Sequence, residues 1–193
     1  MRRRTYLTLA ASTATVTLAG CLSIDAETML TDPEFDHGEH GVTVTYTESD
    51  DELLVISHEY VPDIGSTYLL SSTIMQPGDT ELTATTLRLR PFGDEGTWGG
   101  SPPGSIDVRV PGTRYGETSF FRDDDWTVLE IESFDEQAGG TTSIGFTLRG
   151  DTPEEPGFEG IEIEHEVTVS GGGVIEDTYT ARDLVEIPFN GSD

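Results

Sequence analysis

The sequence predicts an all-β protein, built as an antiparallel β-sandwich of about nine to ten strands. Short runs rich in Val, Ile and Thr recur at near-regular spacing, and apolar and polar residues alternate within them. Gly, Pro and Asp separate the runs, as expected for turns. No stretch after residue 20 shows the 3.6-residue period of an amphipathic helix. Together these observations favour two packed sheets, as in Ig-like domains.

The candidate strands begin at residue 42, where VTVTYT alternates apolar residues with threonine. The later runs are, in chain order, ELLVISHEY, STYLLSSTI, ELTATTLRLR, SIDVRV, DWTVLEIESF, TSIGFTLR, GIEIEHEVTVS and a last region that ends in VEIPF. In ELTATTLRLR, Leu87 and Leu89 alternate with Arg88 and Arg90. Successive side chains of a strand point to opposite faces, so the leucines and the arginines are expected on different sides.

We expect one folded domain at residues 42–193, preceded by an acidic tether at residues 21–41. The Gly- and Pro-rich segment Pro91–Ser105 is the only plausible internal boundary. A boundary there would leave two small halves with thin cores, so a single domain with a long loop is favoured. The acidic segment Asp151–Gly160 is predicted to be a second exposed loop.

The charge of the chain is strongly negative, with 37 acidic residues, ten arginines, no lysine and a net charge of -27. Such a surface repels the phosphates of nucleic acids and anionic lipid head groups, so neither is an expected partner. In molar salt the Debye length falls to roughly 3 Å, and the same charges no longer repel across the surface. An acid excess with lysine depletion resembles the composition of proteins from halophilic archaea, which implies adaptation to high salt.

The first twenty residues carry a different pattern. Arg3 and Arg4, followed by Tyr6 and Leu7, resemble the twin-arginine export motif. The apolar run after them has about thirteen residues, whereas a helix needs about 20 to cross a membrane. The run closes with LAGC, which looks like a lipobox and ends at Cys21, the only cysteine of the chain.

The two motifs together resemble those of twin-arginine-exported lipoproteins of halophilic archaea. This resemblance implies that residues 1–20 are a cleaved signal peptide and that the protein is exported in a folded state. It also implies that a lipid on Cys21 anchors the protein to the outer face of the cell membrane. Without a second cysteine the chain cannot form an internal disulfide, so its stability must come from its core.

Two segments could supply metal ligands. FDHGEHG places Asp36, His37 and His40 within five residues, and FRDDDW places Asp123 and Asp125 in a run of acids. Histidine nitrogens suit a transition metal, whereas clustered carboxylates suit calcium. The alternative is that both segments are simply polar and solvated, because the chain is rich in acids throughout. The acid run does not match the spacing of a helix–loop–helix calcium loop.

His165 lies in the most regular of the candidate strands. GIEIEHEVTVS puts it on the apolar face with Ile163 and Val167, while Glu162, Glu164 and Glu166 share the opposite face. A histidine at such a position is expected to be a core or rim residue with one hydrogen bond rather than a catalyst. The glutamate row is predicted to be a solvated face.

Two further positions are candidates for surface contact or modification. Trp98 stands among glycines in a predicted loop, where it could serve as a contact anchor or fold back onto the core. Asn190 begins an NGS sequence, which is a glycosylation acceptor pattern in an exported protein.

The chemistry of the chain is limited by what the sequence lacks. Without lysine there is no Schiff base or phosphate-loop lysine, and without a second cysteine there is no thiol catalysis or blue-copper site. We therefore expect no enzyme and no cofactor, but a membrane-anchored surface protein that binds or scaffolds a protein or glycan. The alternatives are a metal-assisted extracellular hydrolase and an accessory solute-binding lipoprotein.

Overall fold

The computed structural model describes residues 27–48, 51–62, 67–93, 105–109, 117–134, 138–149, 159–171 and 177–189. These residues form eleven strands and no helix, so they contain no helix that could cross a membrane. The strands are β1 (Glu27–Leu30), β2 (Glu34–Gly38), β3 (Gly41–Glu48), β4 (Asp51–Pro62), β5 (Thr67–Phe92), β6 (Ser105–Arg109), β7 (Thr118–Asp123), β8 (Trp126–Ile131), β9 (Ala138–Arg149), β10 (Gly160–Gly171) and β11 (Thr178–Pro188). The predicted all-β sandwich is confirmed, with eleven strands instead of nine or ten.

The strands form two layers that share β5. The first sheet has the order β2-β3-β4-β5-β9-β6, and the second has the order β1-β11-β10-β5-β8-β7. All of these pairs are antiparallel except β1–β11, which is parallel. Each layer therefore has a part of β5 near its centre.

Strand β5 passes from one layer to the other. Its residues 67–76 pair with β4 and β9, and its residues 80–92 pair with β10 and β8. The register with β9 shifts between Gln76 and Glu81. Pro77 has no backbone N–H to give to a ladder, so the pairing changes partners there. The sequence predicts two separate strands in this region, whereas the structure has one strand of 26 residues.

The core lies between the two sheets and consists of the inward side chains of both. The largest side chains that are fully buried come from β3, β4, β5, β8 and β9: Tyr46, Leu54, Ile56, Tyr60, Leu70, Ile74, Leu87, Leu89, Leu129, Ile131, Ile144 and Phe146. Strand β10 contributes Ile161, Ile163, Val167 and Val169, each fully buried. Burial of one such side chain stabilises the fold by about 1.5–3 kcal/mol. This core supports the domain without a disulfide.

The predicted tether at residues 21–41 is wrong from residue 27 onward. Strand β1 pairs with β11 and strand β2 pairs with β3, so both belong to the sandwich. All five residues of β2 are exposed, and only Leu30 of β1 is buried. These edge strands are held mainly by backbone hydrogen bonds, and therefore lack the apolar alternation that identifies a strand in a sequence.

Candidate binding surface on the second sheet

The outer face of the second sheet carries a row of side chains that spans five strands. Residues that lie opposite each other in a ladder share a face of the sheet, so the register defines the row. Its members, from β7 through β8, β5 and β10 to β11, are Phe121, Val128, Arg88, Glu164 and Leu184. Phe121 and Leu184 at its two ends are both exposed, by 42% and 51%.

Two parallel rows flank this one. On one side Glu130, Thr86, Glu166 and Arg182 lie opposite each other on β8, β5, β10 and β11. On the other side Arg90 lies opposite Glu162 of β10 and next to Trp126 of β8. Three of the seven arginines that follow Cys21 are therefore gathered on one face of one sheet.

The arginines and glutamates of this face form a chain of ion pairs. Arg88 Nη2 lies 3.0 Å from Asp123 Oδ2, and Arg88 Nη1 lies 3.7 Å from Glu164 Oε2. Arg182 Nη2 pairs with the other oxygen of Glu164, and Arg182 Nη1 lies 3.6 Å from Glu166 Oε2. Glu164 is thus shared by two arginines, and its side chain is only 20% exposed.

The guanidinium groups of two of the arginines lie over the ring of Trp126. The guanidinium carbon of Arg90 lies 4.4 Å from the centre of the Trp126 ring, and that of Arg88 lies 5.3 Å from it. Both distances are within the range of cation–π attraction. Arg90 Nε also donates to Glu162, and this hydrogen bond raises the pKa of Arg90. The predicted solvated glutamate row is wrong for Glu162 and Glu164, which the arginines cover.

The central row and the flanking row that contains Thr86 enclose a groove of about 260 Å³. It is lined by Thr86, Arg88, Phe121, Asp123, Val128, Glu130, Glu164, Glu166 and Arg182. The lining combines an aromatic ring and an aliphatic side chain with groups of both charges. The groove therefore offers a ligand both charged groups and a small apolar wall.

The acid run in FRDDDW forms a hairpin turn. Asp123 is opposite Trp126 in the β7–β8 ladder, so Asp124 and Asp125 are the two turn residues. Asp124 has a φ of 53°, a left-handed conformation that Asp tolerates better than most residues. Asp123 pairs with Arg88. Turn chemistry and an ion pair thus account for the run that the sequence offers as a calcium site.

The other candidate metal ligands lie on the opposite sheet. Asp36 and His37 are exposed neighbours on β2, and His40 lies in the turn between β2 and β3. The ring centre of His40 is 5.3 Å from that of Tyr60. The structure does not bring this segment together with Asp123 and Asp125. Within the described ranges, no group of three or more His, Cys, Asp or Glu side chains could hold a metal ion.

Comparison with known proteins identifies the family. The model of a domain of unknown function, DUF8121, matches residues 27–190, which span all eleven strands. The chain belongs to this family. The start of the DUF8121 domain at residue 27 coincides with the start of β1. No curated protein matches the chain.

The DUF8121 domain is similar to several solved β-rich structures at low sequence identity. The yeast GGA1 GAE domain is 12% identical, with 78% of this chain and 100% of that chain covered and a TM-score of 0.37. The reeler domain of human F-spondin is 10% identical, with 89% and 100% covered and a TM-score of 0.37. The yeast delta-COP-I mu-homology domain in complex with a Dsl1 WxWxV peptide is 12% identical, with 69% and 54% covered and a TM-score of 0.35.

A second polar cluster of the DUF8121 domain lies inside the sandwich. His58 of β4 and His165 of β10 are both fully buried, and they contact each other across the two layers. His58 Nδ1 lies 2.8 Å from Ser72 Oγ, and His165 Nε2 lies 2.9 Å from Tyr46 Oη. Tyr46 Oη donates to Asp183 Oδ2 over 2.7 Å.

Burial controls the ionisation of this cluster. It lowers the pKa of His58, which the neighbouring His165 lowers further, and it lowers the pKa of His165 to about 4. It also raises the pKa of Tyr46, as do the hydrogen bond to Asp183 and the charge of that residue. The predicted core position of His165 is confirmed, but both of its ring nitrogens are bonded rather than one. Since neither histidine is exposed, the pair cannot reach a ligand at the surface.

Several predicted positions of the chain lie outside the described residues. They are Arg3, Arg4, Tyr6 and Leu7 of the export motif, the lipid attachment residue Cys21, the candidate contact residue Trp98 and the candidate glycosylation residue Asn190. These remain predictions from the sequence.

Neither the groove nor the buried cluster is predicted from the sequence. LRLR and EIEHE each show an alternating charged face, but they are more than 70 residues apart in the chain. Their opposite charges were the one signal that β5 and β10 are neighbours, because opposite charges stabilise cross-strand pairs. His58 and Trp126 carried no comparable signal.

Proposed function

We propose that this protein is a non-catalytic binding domain that contacts a protein at the cell surface through the outer face of its second sheet. The supporting observation is that Arg88 and Arg90 lie over the ring of Trp126 on that face, and that Glu164 links Arg88 to Arg182. Arginine and tryptophan are enriched among the residues that dominate protein interfaces. Exposed Phe121 and Leu184 extend the same face with apolar area.

The composition of the chain makes this arrangement unusual. The surface of an acid-rich protein needs only acids to remain soluble, and 37 acids are present for ten arginines. Surface ion pairs contribute little to stability, typically about 0–1 kcal/mol. The stacking of Arg88 and Arg90 on an aromatic ring is better explained by recognition, because it positions charged and apolar groups before a partner arrives.

The location belongs to the same proposal. The twin-arginine motif and the lipobox at Cys21 support export and lipid anchoring on the outer face of the membrane. The net charge of -27 supports adaptation to high salt. The metal-assisted hydrolase gains no support from the described residues, since the histidine segment and the acid run lie on different sheets.

Crosslinking on intact cells tests the proposal. A photo-reactive phenylalanine analogue at position 121 would probe the proposed surface, and the same analogue at position 35 would be its control. Phe35 and Phe121 are each 42% exposed, but Phe35 lies on β2 of the first sheet. We expect a reproducible crosslinked species from position 121 and none from position 35.

A variant and a metal assay complete the test. Arg182→Ala should reduce the crosslink at position 121 while circular dichroism shows an intact fold. Equal crosslinking from both positions, or crosslinking from position 35 alone, would contradict the proposed surface. A stoichiometric transition metal in the purified protein, lost in His37→Ala or His40→Ala, would favour the hydrolase instead.

A further inference from the structure

The groove on the second sheet has more negative than positive charge. Its lining includes two arginines and four carboxylates. Arg88 pairs with Asp123 and Glu164, and Arg182 pairs with Glu164 and Glu166. Both cations therefore have carboxylate partners, although the buried Nε of Arg88 has no hydrogen-bond partner in the described part of the chain, and Glu130 has no ion-pair partner there. The lining therefore has a net negative charge, which a cationic ligand group would balance.

The positions of Glu130 and Glu166 define where that charge would sit. They lie opposite Thr86 on either side of it, one on β8 and the other on β10. Neighbouring strands are about 4.8 Å apart, so the two glutamate backbones are about 10 Å apart. A cationic group above Thr86 would reach both carboxylates. Glu166 is 47% exposed and shares its arginine with Glu164, so it can accept a further donor.

The remaining walls suit an aliphatic stem. Phe121 borders the groove with a ring that is 42% exposed, and the buried Val128 lies directly opposite it in the ladder. A long side chain could lie along these two groups and place its charged end at the glutamates. Lysine and arginine have this combination of an apolar stem and a charged head, and the planar head of arginine can bond a carboxylate through two N–H groups and stack on an aromatic ring.

Resting on the proposed function, we infer that the groove receives an arginine side chain of the partner protein, with its guanidinium between Glu130 and Glu166 and its stem on Phe121. An anionic ligand group fits poorly, because it would have to displace the carboxylates already paired with Arg88 and Arg182. A basic side chain is rare on acid-rich surfaces such as that of this chain, which has no lysine. Its recognition therefore distinguishes one partner among many acidic proteins.

Titration with defined peptides tests the inference. The probes are acetyl-Thr-Arg-Thr-amide and the matched acetyl-Thr-Gln-Thr-amide, added to the full-length chain in molar potassium chloride. The methyl signals of Val128 report on the groove by nuclear magnetic resonance. We expect these signals to shift with the arginine peptide, and we expect the glutamine peptide to bind more weakly by about fivefold, the upper end for an exposed ion pair.

Variants separate the groove from the general negative charge. Glu130→Gln and Glu166→Gln should each weaken the arginine peptide by about threefold. Glu186→Gln removes an exposed carboxylate of the same sheet outside the groove, and it should leave binding unchanged. The inference would be overturned by equal shifts with both peptides or by no shift with either. It would also be overturned if all three variants weakened binding of the arginine peptide equally.

The outcome is distinguishable from a failure of the proposed function. If position 121 crosslinks to a surface protein but Glu130→Gln leaves that crosslink intact, the surface is correct and the arginine inference is wrong. If neither position 121 nor the arginine peptide gives a signal, both are wrong.

Discussion

His58 Nε2 lies 3.1 Å from His165 Nδ1, and this contact joins the two sheets at the centre of the sandwich. The two rings come from different layers, β4 in the first sheet and β10 in the second. Both are fully buried. A polar link between layers fixes their relative position more strictly than apolar packing does, because a hydrogen bond tolerates little sliding.

The Asp183 carboxylate, at one end of this cluster, fixes the direction of every hydrogen bond in it. The Asp183 carboxylate can only accept, so Tyr46 donates to it. The Tyr46 oxygen then accepts from Nε2–H of His165, which leaves His165 Nδ1 to accept from Nε2–H of His58. His58 Nδ1 accepts from the hydroxyl of Ser72. Both histidines are neutral with the proton on Nε2, and every ring nitrogen is satisfied.

We predict that the fold loses stability between pH 7.5 and 5. The folded pKa of both histidines is below the ordinary value of 6.5, so below that pH the unfolded chain binds more protons. The stabilisation is complete above about pH 7 and is lost as the pH falls toward 4. His165 alone accounts for a loss of about 2 kcal/mol at pH 5. Denaturant unfolding in molar salt at a series of pH values measures this loss of stability.

A control identifies the histidines responsible. His37 is exposed on β2, so His37→Gln should retain the same loss between pH 7.5 and 5. If the free energy of unfolding stays constant or increases as the pH falls from 7.5 to 5, the buried pair is not neutral in the folded state.

We predict that Tyr46→Phe destabilises the protein by about 1–3 kcal/mol, because it removes the hydroxyl between His165 and Asp183 and leaves a buried N–H without an acceptor. Tyr60→Phe is the matched control. Tyr60 is also buried and donates to the carbonyl of Phe189 over 2.7 Å, outside the histidine cluster. Both variants should lose stability, but only Tyr46→Phe should change the pH dependence. If the free energy of unfolding has the same pH dependence in the two variants, Tyr46 does not affect the ionisation of the histidines.

We predict that folding depends on salt. The carboxylates that give the chain its net charge of -27 repel one another in dilute buffer, and molar salt screens this repulsion. Circular dichroism should show β structure in molar potassium chloride and a lower thermal midpoint after dialysis. The same midpoint in dilute and concentrated salt would remove the basis for salt adaptation.

We predict that the mature protein begins at Cys21 and carries a lipid there. Mass spectrometry of the membrane fraction should show the loss of residues 1–20 and the addition of a lipid mass. Cys21→Ser should release the protein from the membrane, whereas a Ser23→Ala variant should remain attached. A Cys21→Ser variant that stays fully in the membrane fraction would rule out this anchor.

The alternating strands of the core could be predicted from the sequence, since one buried face imposes a period of two. This is why the inward positions of Ile163, His165 and Val167 are confirmed. Strands β1, β2 and β7 could not be predicted, because they lie at sheet edges and are mostly exposed. Their alternation carries no hydrophobic signal.

The groove and the histidine pair could not be predicted for a different reason. Alternation shows which side a residue faces but not which strand lies beside or across from it. His58 and His165 are 107 positions apart in the chain and meet only because β4 and β10 lie in opposite layers. Arg90 meets Trp126 only because β5 crosses into the second sheet, which the separation into STYLLSSTI and ELTATTLRLR did not foresee.

The parallel pair of β1 and β11 has a consequence for the synthesis of the protein. The first strand of the domain bonds to the last, with Glu27 opposite Thr178 and Leu30 opposite Ala181. A nascent chain lacks β11 until residue 188 has been synthesised, so the second sheet cannot close before that point. The twin-arginine export that we propose suits such a domain, because that route carries proteins that have already folded.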